Sequence, residues 1–227
     1  MELADVLTRL HALADPTRVE QSAKFGIQAG HSLGIRLPQL REIAKEIRKN
    51  HALAGTLWAT GIHEARLMAA MIADPKQITE AQMEQWVADF DSWDVCDGMC
   101  SEVFSRTPYA IAKATEWAGR PEEYVKRAGF VLMADLAHRS HKTSDEQLAA
   151  FFPLMVREAT DERNFVKKAV NWALRDTGKR NLALNAQAIA TARQIQQLDS
   201  KSARWIAADA LRELTSDKVQ AKLHKQG

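Results

Sequence analysis

Helix starts recur along this chain at nearly even intervals, and that recurrence limits the fold more than any other feature. The strongest start signals fall near residues 62, 92, 122, 162 and 201, at spacings of 30, 30, 40 and 39 residues. Breaks such as "ADPKQIT" at 73–79, "DFDS" at 89–92, "GRPEE" at 119–123 and "ATDER" at 159–163 separate them, and Ser92, Thr107 before Pro108, and Pro121 before Glu122 and Glu123 are start signals. Ala, Leu, Glu, Lys, Arg and Gln dominate between the breaks, and strand signals are nearly absent. Two helices fit in each interval. A helical pair cannot bury its apolar face alone, so pairs at this spacing stack on their neighbours. The expected fold is all-α, a helical-repeat solenoid or α-α superhelix, forming a single domain over residues 1–227.

The second helix of each pair repeats a charge pattern. "IHEARLMAAMIA" begins at 62, "WDVCDGMCSEVF" at 93, "YVKRAGFVLMADLA" at 124, "FVKKAVNWALRDTG" at 165 and "ARWIAADALREL" at 203. Four of the five place cations near their first turn: Arg66, Lys126 with Arg127, Lys167 with Lys168, and Arg204. Stacked in parallel, these helices are expected to line a concave basic face. The overall charge of +2 hides an asymmetry, since residues 1–119 carry a net −4 and residues 120–227 a net +6. A basic half is a modest pointer to a polyanionic partner.

The remaining helix breaks the pattern. "DFDSWDVCDGMCSEVF" holds Asp89, Asp91, Asp94 and Asp97 within nine positions. Asp91 and Asp94 suit the positive end of a helix dipole. Asp97 lies a turn further in and shares a helix face with Trp93, four residues before it. A carboxylate there is either solvated or held for a purpose. A metal site combining Cys96, Cys100, Asp97 and His63 is disfavoured, because CxxxC is not the usual zinc spacing and no second pair follows. The HxxH of His138 and His141 falls in an expected loop. Cys96 and Cys100, one helical turn apart, read as small buried thiols in a reduced protein.

"FVKKAVNWALRDTGKRN" is the second dense segment. Lys168, Trp172 and Arg175 fall near one helix face. Trp58, Trp86 and Trp117 are expected in the core. Trp172, among cations, suits nucleic acid instead, its ring against sugar or base and the cations against phosphate.

Apolar residues make up 46% and charged residues 26% of the chain, the balance of a globular protein. No run of 18 apolar residues appears, and the N-terminal stretch lacks a signal-peptide core. The expectation is a cytoplasmic protein with no membrane partner, a monomer because a solenoid of this size needs none.

These segments, with "VKRAGFVLMADLA" and "LGIRLPQLREIAKEI", resemble the AlkD-type DNA alkylation repair glycosylases, which are built from HEAT-like repeats. The likeness runs from about Lys24 to Arg212 and is most specific at Trp93-Asp-x-x-Asp97, at Lys126-Arg127 and at Trp172-x-x-Arg175. It implies a HEAT-like solenoid whose concave face holds duplex DNA containing N3- or N7-alkylated purines. By the resemblance Asp97 is the catalytic carboxylate, Trp93 and Trp172 contact the lesion nucleotide, and Arg127 and Arg175 grip the backbone. It also implies that the lesion is not flipped into a tight pocket, unlike most base-modifying enzymes. The family's N-terminal aromatic would fall in "SAKFGIQAGHSLGI", with Phe25 as the nearby candidate.

The residues make physical sense of that chemistry. A cationic alkylpurine is already a good leaving group. What needs stabilising is the positive charge developing on deoxyribose, which a fixed, ionised carboxylate can do. Nearby Arg127 or Arg175 would favour the ionised form of Asp97. Tryptophan faces attract cations, and Lys126, Lys167 and Lys168 would add sequence-independent, salt-sensitive affinity. No cofactor and no metal are called for. Two rival readings keep the fold: a non-catalytic binder of distorted or branched DNA, and a protein-interaction scaffold.

Overall fold

The computed structural model describes residues 1–24, 26–27, 31–140 and 142–225. Phe25 and His141, both named above, lie outside the described residues. Helices account for every regular element among the described residues, with no strand. The chain divides into two compact units, Met1–Thr107 and Pro108–Gly227.

The first unit runs α1 (Leu3–Ala12), α2 (Pro16–Ala23), α3 (Leu37–Ile47), α4 (His51–Ala59), α5 (His63–Ile72), α6 (Glu80–Ala88) and α7 (Trp93–Glu102), closing on a 3₁₀ turn at Phe104–Arg106. The expected helix starts near 62 and 92 are therefore the starts of α5 and α7. Side-chain caps set several of these boundaries. Asp15 accepts from the Thr17 and Arg18 amides at the head of α2, Asn50 from Leu53 at α4, and Thr79 from Gln82 at α6. Ser92 occupies the N-cap of α7, but its hydroxyl oxygen accepts no capping hydrogen bond from the helix amides. Helix α5 packs on α3, α4 and α7. Leu40, Leu57, Met68, Ile72, Met83 and Met99 are fully buried in this unit. Trp58 and Trp86 are core residues as expected, stacked with ring centroids 4.9 Å apart.

The second unit runs α8 (Ala110–Ala118), α9 (Glu123–Arg139), α10 (Asp145–Ala149), α11 (Phe152–Glu158), α12 (Asn164–Gly178), α13 (Leu182–Gln196), α14 (Lys201–Leu214) and α15 (Asp217–His224). Helix α8 begins two residues later than its Thr107-Pro108 signal implies, because the Thr107 hydroxyl is turned inward to the Phe104 carbonyl at 2.8 Å. His138 belongs to the last turn of α9 rather than to a loop. The second helices of successive pairs stack: α9 on α12, and α12 on α14. Trp117 is fully buried, as expected. Close approach needs glycine at one position on α9, since a Cβ on Gly129 would lie 2.5 Å from the Ala118 amide nitrogen.

Cross-repeat hydrogen bonds record the period directly. In the first unit His51–Gln82, Trp58–Asp89 and His63–Asp94 each span 31 residues. In the second, Arg127–Phe165, Asn171–Asp209 and Arg175–Glu213 each span 38. Equivalent positions of neighbouring repeats thus touch, as a stacked helical-pair array requires.

Candidate active site

Helices α5 and α7, with the loop before α3, enclose a pocket of about 620 Å³ in the first unit. Trp93 and Asp97 both line it, one helical turn apart on α7, and both are half-buried. Gly98, the next residue on α7, also lines it.

The pocket walls are held by two buried groups of α5. Glu64 is 2% exposed and accepts hydrogen bonds from the amides of Leu33 at 2.8 Å, Gly34 at 2.7 Å and Ile35 at 3.3 Å, and from the Ser32 hydroxyl at 2.9 Å. One carboxylate therefore satisfies a whole turn of loop backbone and fixes it over the pocket. Gly34 sits at φ +76 within that loop, where a Cβ would strike the Asp15 carbonyl at 2.2 Å. His63 Nε2 lies 3.0 Å from Asp94 Oδ2. Burial works against the imidazolium, but the hydrogen bond to Asp94 and its negative charge outweigh it, so His63 titrates above its ordinary value. Burial likewise pushes the Asp94 carboxyl up, yet the His63 hydrogen bond and charge hold it below the usual carboxylate range.

The helix-start reading of Asp91 and Asp94 is thus incomplete. Each also has a cationic partner on α5: Asp94 the His63 ring, and Asp91 the Arg66 guanidinium at 3.5 Å. Arg66 in turn donates to the Asp89 carbonyl at 2.9 Å and lies over the Trp58 ring at 5.2 Å.

Six of the eight singled-out site residues belong to the second unit. Lys126 is buried between Glu158 at the end of α11 and Asp161, the latter at 3.4 Å. Arg127, 6% exposed, donates to the Phe165 carbonyl at 2.7 Å and faces the Phe165 ring. Arg175 pairs with Asp209 and Glu213 of α14. The Trp172 indole donates to Asp176 at 2.8 Å, leaving the ring half-buried. Lys168 is exposed, and Lys167 lies over the Trp205 ring at 5.6 Å. Within each unit, part of the positive charge that the repeat pattern places on these helices is met by acids. Arg66, Lys126 and Arg175 are neutralised by carboxylates, mostly of the next pair.

The exposed cations of the first unit are not among the residues that the repeat pattern singles out. Arg41, Lys45 and Arg48 are solvent-exposed, and among the described residues no carboxylate pairs with them. With Lys49 and Met71 they line a second hollow of about 330 Å³. Arg41 and Met71 also line the Asp97 pocket, so the two hollows adjoin. The signal is the i, i+4 spacing of Arg41 and Lys45 in "LREIAKEIRKN", followed by Arg48 at the helix C-cap, hidden by the net negative charge of residues 1–119.

Cys96 and Cys100 are both buried and not joined in a disulfide. Among the described residues, no group of three His, Cys, Asp or Glu side chains is arranged to hold a metal ion. No described helix is long and apolar enough to cross a membrane.

Comparison with solved structures finds a chain of the same fold, with a TM-score of 0.78 at 21% sequence identity, over 94% of this chain and 96% of that one. It is described as a new family of proteins related to the HEAT-like repeat DNA glycosylases with affinity for branched DNA structures. The architecture is thus all-α and HEAT-like. Comparison with the curated proteins finds no match. A family model for the DNA alkylation repair enzyme covers residues 6–214, nearly the whole of the repeat array, and the chain belongs to that family.

Proposed function

We propose that this protein binds duplex DNA and hydrolyses the N-glycosidic bond of N3- or N7-alkylated purines, with Asp97 as the catalytic carboxylate. The observation that carries the reading is the pairing of Asp97 with Trp93 in one pocket on α7, in a member of a DNA alkylation repair family. An indole face attracts a cationic base, a preference worth about 0.5–2 kcal/mol. A carboxylate beside the sugar stabilises the positive charge that grows on C1′ as the bond lengthens. The bonding pair leaves with the base and neutralises its charge. Water then adds hydroxyl to C1′ and loses a proton, so the reaction balances without a cofactor.

DNA backbone affinity is assigned to exposed cations. Arg41, Lys45 and Arg48 adjoin the Asp97 pocket, and on α12 the exposed Lys168 and the half-buried Lys167 accompany Trp172, while Arg175 is held by Asp209 and Glu213. Lys126 and Arg127, buried and engaged, support α9 from within rather than reaching for phosphate.

A second reading is a DNA binder without catalysis. It is favoured by the relative of the same fold, described as having affinity for branched DNA, and it uses the same cations.

The deciding measurement is release of 7-methylguanine and 3-methyladenine from methylated duplex DNA by the wild type and by Asp97→Asn. Release that falls about 100-fold or more in the variant, a loss typical of removing one electrostatic stabiliser, with DNA affinity kept, establishes the glycosylase. No release by either protein, with salt-dependent binding kept in both, leaves the non-catalytic reading.

A further inference from the structure

Helices α12 and α14 meet in a regular ladder with a 38-residue step. The Ser200 hydroxyl donates to Glu162 at 2.7 Å, Asn171 donates to Asp209 at 2.7 Å, and Arg175 pairs with Glu213. At each of these rungs a hydrogen-bond donor or cation meets a carboxylate. The rung between the first two is different. There Lys167 faces not an acid but Trp205, its ammonium 5.6 Å from the ring centroid. Among the described residues no carboxylate lies within ion-pair distance of Lys167. A cation lying on an aromatic face keeps its full charge, because a ring quadrupole attracts without neutralising.

Trp205 is also far more exposed than the core indoles. It is 40% exposed, whereas Trp58, Trp86 and Trp117 are 3% or less. Its surroundings on α14 are not those of a protein-docking patch, which would gather apolar neighbours. Lys201, Arg204, Ala208 and Arg212 are the other exposed residues of that helix. Arg204 has Asp199 as its acidic partner, at 3.1 Å and fully exposed, a pairing worth little in water. A lone flat ring rimmed by cations matches a nucleotide: base on the indole, phosphates on the ammonium and guanidinium groups.

We infer that Trp205, with Lys167 and Arg204, forms a stacking platform for an unpaired nucleotide in DNA. The inference rests on the DNA-binding reading above and adds a structural preference to it. A fully paired duplex hides its base faces in the stack, so an indole can cover one only at a gap, fork or bulge. The platform would therefore direct the protein to interrupted DNA rather than to intact helix.

The test compares affinity for a fluorescently labelled duplex carrying a short single-stranded gap with affinity for the same duplex fully paired, by anisotropy at fixed salt. The wild type is expected to prefer the gapped DNA. Trp205→Ala should lower that preference ratio about tenfold, the loss of one base–aromatic stack, and Trp205→Phe should restore most of it. Lys167→Met should lower the ratio by a smaller factor. Thermal unfolding of each variant confirms that it folds as the wild type does. An unchanged ratio in Trp205→Ala, or equal loss for both DNAs, overturns the platform while leaving the DNA-binding reading in place. A wild type that binds neither DNA overturns both, so the two failures are distinguishable.

Discussion

The cations of α3 and those of α9 and α12 look alike in sequence but are used differently. On α3 and at its C-cap, Arg41, Lys45 and Arg48 stand in solvent with no carboxylate partner among the described residues. On α9 and α12, Lys126 and Arg175 are drawn onto acids such as Glu158, Asp161 and Glu213. The first unit is net acidic by count yet offers unpaired positive charge beside a pocket. Residues 120–227 are net basic by count yet use much of that charge to hold repeats together. A tally of charges along a repeat protein therefore misleads about the field it presents, because carboxylates one repeat away consume part of it.

The largest effect that could break this contrast concerns Lys126. Replacing it with Met takes from the part-buried Glu158 and Asp161 the cation they share, leaving them Arg157 and Arg163 as partners. Removing one member of such a network is expected to cost up to about 3 kcal/mol, read as a lower denaturant midpoint with an unchanged slope. The salt dependence of DNA binding should not move, since this ammonium is not available to phosphate. A stable Lys126→Met with a weaker salt slope would return Lys126 to the DNA interface and dissolve the distinction.

Helix α3 makes the opposite prediction. The triple substitution Arg41→Gln, Lys45→Gln and Arg48→Gln should leave stability within about 0.5 kcal/mol, as for exposed surface positions. It should reduce the slope of log K against log salt by about 1 for each phosphate that is no longer neutralised. Binding measured at several salt concentrations checks this. A full slope in the triple variant would show that α3 does not meet DNA.

Packing limits sharpen the comparison further on the structural side. A methyl group on Gly129 would press on the Ala118 backbone, which cannot rotate away as a side chain could. Gly129→Ala is expected to destabilise by about 1–3 kcal/mol, the range for overpacked cores. Equal stability of the variant would mean that α8 and α9 can separate at no cost.

Much of this architecture is legible in the sequence, and the reasons are local. The starts of α7, α9, α12 and α14 follow from Ser, Asp and Pro punctuation, that of α5 from Gly61, and all of them from apolar periodicity, which are properties of short windows. The core tryptophans are legible because apolar neighbours surround them in sequence. Trp93 and Asp97 sharing a pocket follows from their i, i+4 spacing on one helix. What stays hidden depends on partners 31 or 38 residues away. No window around Lys126 shows Glu158, none around His63 shows Asp94, and none around Lys167 shows that its neighbour is an exposed indole. Trp205 itself escapes notice because "ARWIAADALREL" reads as an ordinary amphipathic helix.

The smallest effect tests whether the His63–Asp94 pair is ionic. Its two partners are held in opposite directions, the imidazole above its ordinary value and the carboxyl below. A raised folded-state pKa stabilises fully below the unfolded imidazole value and is lost as pH rises through the folded one. A lowered carboxyl stabilises fully above the unfolded carboxylate value and is lost as pH falls through the folded one. The pair should therefore contribute most between about pH 4 and about pH 6.5, where both groups are charged folded and unfolded alike. In that window His63→Gln should cost about 1–2 kcal/mol, toward the low end for a hydrogen bond to a charged group because Asp94 is partly exposed. The difference from wild type should narrow above pH 6.5 and again in acid. A difference that stays flat from pH 4 to pH 9 would mean a neutral imidazole, and the wall beside Asp97 would then be held by packing rather than by charge, unlike the Lys126 and Arg175 contacts of the second unit.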